Sequence, residues 1–110
     1  MIEIDFFENN KSIFGFSVSG HAQFSNFGED VVCAGVSSAV MMTINTITEI
    51  LNVAALVELK ENLISINTQG AALDAFKFKQ LQVIYDGFHL HMKALSEDYN
   101  DNITIKYVEV

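Results

Sequence analysis

Ile2, Ile4 and Phe6 alternate with Glu3 and Asp5, the two-residue period of a half-buried strand over Ile2 to Phe7. Asn9-Asn10-Lys11 is turn chemistry, and Ile13 to Val18 resumes in β-rich residues, so the chain opens on a predicted hairpin. Gly20 to Asp30 is polar, holds Gly20 and Gly28, and predicts a loop. From about Val32 to Asn52, Val36, Val40, Ile47 and Leu51 recur near helical spacing, with further apolar residues on other faces. That pattern predicts a helix buried on several sides. Ala55 to Leu59 and Leu63 to Asn67 flank Lys60-Glu61-Asn62 as a second hairpin. Thr68-Gln69-Gly70 breaks the pattern before a second helix, about Ala72 to Leu95, striped by Leu73, Leu81, Ile84, Phe88, Met92 and Leu95. After a turn at Tyr99 to Asn102, Ile103, Ile105 and Tyr107 alternate with Thr104 and Lys106 as a closing strand. The order β-β-α-β-β-α-β predicts one small α+β domain over residues 1–110, two helices packed with mostly antiparallel strands.

Composition narrows the function classes. Half of the 110 residues are hydrophobic, enough to bury a core. Fourteen acids oppose six basic residues, all lysine, for a net charge of −8. A phosphate-binding surface needs clustered Lys and Arg, so no direct nucleic-acid binding is expected and basic partners are favoured. No membrane association is expected, because no apolar run is read as reaching the roughly 20 residues of a bilayer span. The start, MIEIDFFENN, carries acids where a signal peptide carries bases, so a cytoplasmic protein is expected. One cysteine makes no internal disulfide and no thiolate metal cluster, which agrees with a reducing compartment. His89 and His91 stand two apart on a predicted helix, a spacing that points side chains away from each other. No metal and no cofactor are expected. Met41 and Met42 are most simply core, and the long apolar faces of both helices suggest that part of them packs on a second copy.

The candidate chemistry lies in Ser19-Gly20-His21-Ala22 and in Gly28-Glu29-Asp30-Val31-Val32-Cys33-Ala34-Gly35-Val36-Ser37-Ser38. Cys33 is placed where the first helix is predicted to begin, where free N–H groups and the helix dipole favour thiolate. His21 follows a strand, and the intervening loop is long enough to fold back and bring an imidazole to the thiol. The N–H of Cys33 and a neighbouring amide would face a developing oxyanion, and Ala34 and Gly35 would let a substrate backbone approach. Spacing alone favours a plainer reading, a small buried thiol and a structural histidine.

The Gly-His-Ala triplet, the Gly-x-Asp-x-Val-Cys-Ala run, Ser37 four residues after Cys33, Asn45 and the closing Tyr99-Asn100-Asp101-Asn102-Ile103 together resemble the ribosomal-processing cysteine protease Prp family. The resemblance spans nearly the whole chain. It implies a homodimeric cysteine endopeptidase that removes a short N-terminal extension from a large-subunit ribosomal protein during ribosome assembly. The extension ends in a Phe-rich stretch before a basic tail. By the same resemblance His21 and Cys33 form the catalytic dyad, and the loop between them covers the substrate groove. Asp30 and Ser37 fall on the family pattern. Asp30 would cap the helix or orient His21, the cap being preferred; Ser37 would bond substrate or pack beside the dyad. Gly20 and Gly28 would supply loop freedom or positive φ. Phe24 and Phe27 would cover the groove from the substrate side or pack on the first helix. The tight turn at Lys60-Glu61-Asn62 and the absence of arginine depart from the family pattern. The rival reading is a non-catalytic ribosome-assembly protein that binds a ribosomal protein without cutting it; a third is a redox-sensing thiol protein.

Overall fold

The computed structural model describes residues 1–20 and 27–110, the side chains of 27–30 excepted. Strands β1 (Ile2–Asn9) and β2 (Ser12–Ser19) form the opening hairpin. Asn10 and Lys11 both take positive φ, 50° and 67°, as the two-residue turn that matches strand twist requires. Helix α1 (Phe27–Asn45) runs on through one wider π-turn at Thr46–Ile50. Strands β3 (Leu56–Lys60) and β4 (Leu63–Asn67) make the second hairpin, α2 covers Ala75–Asp98, and β5 covers Ile103–Glu109. The element order and the α+β class are as the pattern predicts.

The sheet runs β3-β4-β2-β1-β5. β5 is parallel to β1 and the other pairings are antiparallel. Two helices share one face. Ile2, Ile4 and Phe6 of β1 and Phe16 and Val18 of β2 are buried beneath them. They meet Val32, Val36, Val40, Ile44 and Ile47 of α1 and its π-turn, and Leu81, Tyr85, Phe88 and Met92 of α2, in one cluster.

Both helix starts move. α1 begins at Phe27, ahead of the expected Val32, so Phe27, Gly28 and Asp30 have helical backbone where a loop was expected. α2 begins at Ala75, later than the expected Ala72, because Asp74 caps it: its carboxylate accepts the Lys77 N–H at 2.7 Å. A further correction concerns membrane length. Val31–Ile50 is a 20-residue helical stretch long and apolar enough to cross a bilayer, where no such run was expected. Its Val32-Val36-Val40-Ile44-Ile47 stripe lies in the core.

Polar side chains tie α2 to the sheet. The β1–β2 register shifts between Phe7 and Glu8. There the Gln82 amide replaces a strand neighbour, its Oε1 accepting from the Ile13 N–H at 2.9 Å and its Nε2 donating to the Ile13 carbonyl at 2.8 Å. Tyr85 Oη and Thr68 Oγ1 are hydrogen-bonded at 2.8 Å, and both reach the Phe14 carbonyl. Burial pushes the Tyr85 hydroxyl above its ordinary range, the Thr68 bond pulling the other way.

Gly15 stands at the centre of β2. A Cβ there would lie 2.1 Å from the Ile66 carbonyl oxygen on β4, so only glycine lets the two strands close. Gly15→Ala is expected to cost about 2 kcal/mol by overpacking. A urea titration checks it, and an unchanged midpoint would show that β4 gives way freely.

Candidate active site

Cys33 lies in the second turn of α1, six residues past its start, and is a free, half-buried cysteine. Its neighbours Val32 and Val36 are buried, and at about 100° per residue Cys33 and Ser37 fall together on one flank of the helix, beside that buried stripe. Cys33 packs against the core from this flank, while Ala34 and Gly35 are exposed. A Cβ on Gly35 would meet nothing within 4 Å, so no packing within the described chain requires a glycine there.

The expected placement of Cys33 at the helix start is corrected. The N–H groups of a helix's first turn have no partner within it, and α1 opens at Phe27. The Cys33 N–H is one turn deeper, where the ladder takes it up.

His21 and Phe24 lie outside the described residues. For Phe27, Gly28 and Asp30 the helical backbone is described, so they belong to α1 and not to a loop. Gly20 ends β2's approach to that segment. Its φ is +80° and its missing Cβ would lie 2.2 Å from the Met1 carbonyl oxygen, so glycine is needed for close chain contact as well as for conformation. Ser37 is half-exposed one turn beyond Cys33.

His89 is hydrogen-bonded to Tyr107 Oη at 2.7 Å and meets the edge of the Phe6 ring at 4.8 Å. His91 instead lines a groove of about 280 Å³ between α1 and α2, with Ala39, Met42, Val83 and Phe88. The two imidazoles serve different surroundings. Among the described residues no three His, Cys, Asp or Glu side chains gather to hold a metal.

Sequence reasoning missed the Gln82 and Tyr85–Thr68 ties. Thr68 read as a breaker and Tyr85 lay next to, but outside, the stripe it expected.

A five-stranded mixed sheet under two helices, with one half-buried cysteine on the flank of the first, defines a small α+β protein with a candidate cysteine nucleophile. Residues 1–104 match the family described as cysteine protease Prp, and the chain belongs to it. The ribosomal processing cysteine protease Prp of Bacillus subtilis strain 168 is 27% identical over 88% of each chain. Its namesake in Staphylococcus aureus strain Mu50 is 24% identical, covering 97% of this chain and 99% of that one. Two crystal structures share the fold. SMU.848 from Streptococcus mutans superposes with a TM-score of 0.87 at 21% identity, over 100% of this chain and 96% of that one. The essential ribosomal processing protease Prp from S. aureus, in complex with a substrate peptide, superposes with 0.83 at 22% identity, over 98% and 100%. The chain is a cysteine protease of this family.

Proposed function

We propose that this protease removes a short N-terminal extension from a large-subunit ribosomal protein in the cytoplasm during ribosome assembly, with Cys33 as nucleophile and His21 as its base. The observation that carries the reading is the half-buried single cysteine, next to the exposed Ala34 and Gly35 on α1, in a chain of the cysteine protease Prp family whose relatives are ribosomal processing cysteine proteases.

The chemistry needs two groups. The Cys33 S–H proton passes to the His21 imidazole as the sulfur attacks the scissile carbonyl. The C–N bond breaks, the leaving amine takes that proton, and a thioester remains on Cys33. Water then hydrolyses the thioester, giving the acid and restoring the thiol. Ser37, four residues on along the same helix flank, would bond the substrate chain or pack beside the dyad. The net charge of −8 suits a basic ribosomal protein.

A homodimer belongs to the same proposal. Met42, Val83 and Leu90 on the outer helix faces are 70%, 71% and 70% exposed. Met42 and Val83 line an apolar groove between the helices, the kind of exposed apolar surface that a second copy can cover. Gly87, in the middle of α2, has nothing within 4 Å of a would-be Cβ, which leaves room for a second helix.

The test uses the host's own ribosomal protein, carrying its N-terminal extension, incubated with the purified protease. Mass spectrometry is expected to show one cut that releases the extension, and sedimentation to show the mass of two copies. An intact ribosomal protein after long incubation with reduced enzyme removes the substrate assignment. A single-copy mass removes the dimer.

A further inference from the structure

The described chain leaves one sheet edge open beside the nucleophile. α2 packs across β2 and β5, on either side of β1. Packed helices lie 8–10 Å apart and strands about 4.8 Å, so α1, at its side, sits about two strands over, above β4. That leaves β3 as a rim beyond α1.

Leu59 of β3 pairs with Ile64, and Ile64 with Val18. Cross-strand partners share a face, and Val18 is fully buried, so Leu59 stands on the helix side of the sheet. It is nonetheless 62% exposed. Around α1, the side towards α2 carries Ala39, Met42 and Thr46, which line the groove between the helices. Cys33 and Ser37 fall on the opposite flank, towards β3.

The heights agree as well. The Val53 N–H bonds the Ile47 carbonyl at 3.0 Å, fixing a common level. From Ile47 back up α1 to Cys33 the rise is about 21 Å at 1.5 Å per residue. From Val53 to Leu59, with β3 running from Leu56, the returning chain spans up to about 20 Å at 3.3 Å per residue. By these rises Leu59 and Cys33 come to about the same level, one on the outer strand and the other on the facing flank of α1.

We propose that the substrate binds as an extended segment along the free edge of β3, with an apolar side chain seated between Leu59 and the Cys33 flank of α1. The inference rests on the protease reading above and names the residue that selects its substrate. An edge strand presents unpaired N–H and C=O groups to an incoming extended chain. Leu59 is exposed on the helix side of this five-residue strand, a liability on an edge that nothing uses. Glu58 and Lys60 pair with each other at 3.2 Å, so the strand's own charges cancel and an apolar segment is favoured. The other edge, β5, lies under α2 and away from the Cys33 flank.

The experiment compares two fluorogenic peptides that differ only in having leucine or serine residues before the scissile bond. They are assayed with the parent, Leu59→Glu, Leu59→Ser and Leu56→Glu, and their binding is measured in the non-cleaving Cys33→Ser background. Leu59→Glu and Leu59→Ser are expected to lower kcat/KM for the leucine peptide about tenfold, and its affinity alike, the worth of one buried leucine side chain. The serine peptide and Leu56→Glu, on the opposite face, should change by less than about threefold. The rate of Cys33 alkylation by iodoacetamide should hold, showing an intact nucleophile. If the parent cleaves and both Leu59 variants match it, the edge site is wrong and the protease reading stands. If the parent cleaves neither peptide but binding in the Cys33→Ser background depends on Leu59, the edge site stands and the protease reading falls. No cleavage and no binding overturns both.

Discussion

Cys33→Ser is expected to lower kcat/KM for peptide hydrolysis by at least about 10³-fold, and His21→Ala by about 10²–10⁴-fold. A hydroxyl keeps the volume of the thiol but is not ionised near neutral pH, so the attacking atom is lost while the helix flank is kept. Cys33 is half-exposed and lies at the border of the core, so the serine variant should unfold within about 1 kcal/mol of the parent. The double variant discriminates further. Nucleophile and base act as one unit, so removing both should cost no more than removing Cys33 alone. Effects that multiply would mean that His21 acts in some separate way, on folding or on substrate binding. Parent-like rates in both single variants would end the dyad assignment. Active-site titration with iodoacetamide, followed by intact mass, assigns the reactive atom without ambiguity because the chain has one cysteine.

The fold was largely legible because its core obeys simple periods. Ile2, Ile4 and Phe6 alternate and are all buried. Val36 and Val40 keep helical spacing and are buried, as are Leu81, Phe88 and Met92. The parallel placement of β5 beside β1 could not be read, because partner choice is a long-range matter that no local period encodes. The start of α1 was misplaced for a different reason. Gly28, Glu29 and Asp30 read as loop residues, yet acids in a first turn are what a helix N-terminus favours, and that signal was available. Cys33 and Ser37 share the flank that their spacing implies. Thr68 shows the limit of reading by residue type. It looked like a breaker, and it is buried with both its backbone N–H and its hydroxyl bonded to Phe14.

Phe16→Ala is expected to cost about 4 kcal/mol of folding stability, a large share of what a domain of this size holds. Phe16 is fully buried on the central strand β2, paired with Phe6 on β1 and Ile66 on β4. Its ring stacks on Phe88 of α2 at 4.2 Å and 25°, and meets Tyr85 edge-on at 6.3 Å and 89°. Removing it opens a cavity where strand and helix are keyed together, next to the Tyr85–Thr68 bond that cannot shift without losing its partner. The urea midpoint should fall by about 2 M with little change in slope. Phe76→Ala, at a site 73% exposed, should stay within about 0.5 kcal/mol. A loss below about 1 kcal/mol at Phe16 would mean that α2 repacks without this ring. The two large effects are also expected to separate. Under conditions where Phe16→Ala remains folded, its kcat/KM should stay near the parent's, because the ring lies beneath α2 and not on the Cys33 flank. Cys33→Ser should do the reverse, keeping the midpoint and losing the chemistry, and a variant pair that failed to separate in this way would place the reacting groups inside the helix–sheet seam.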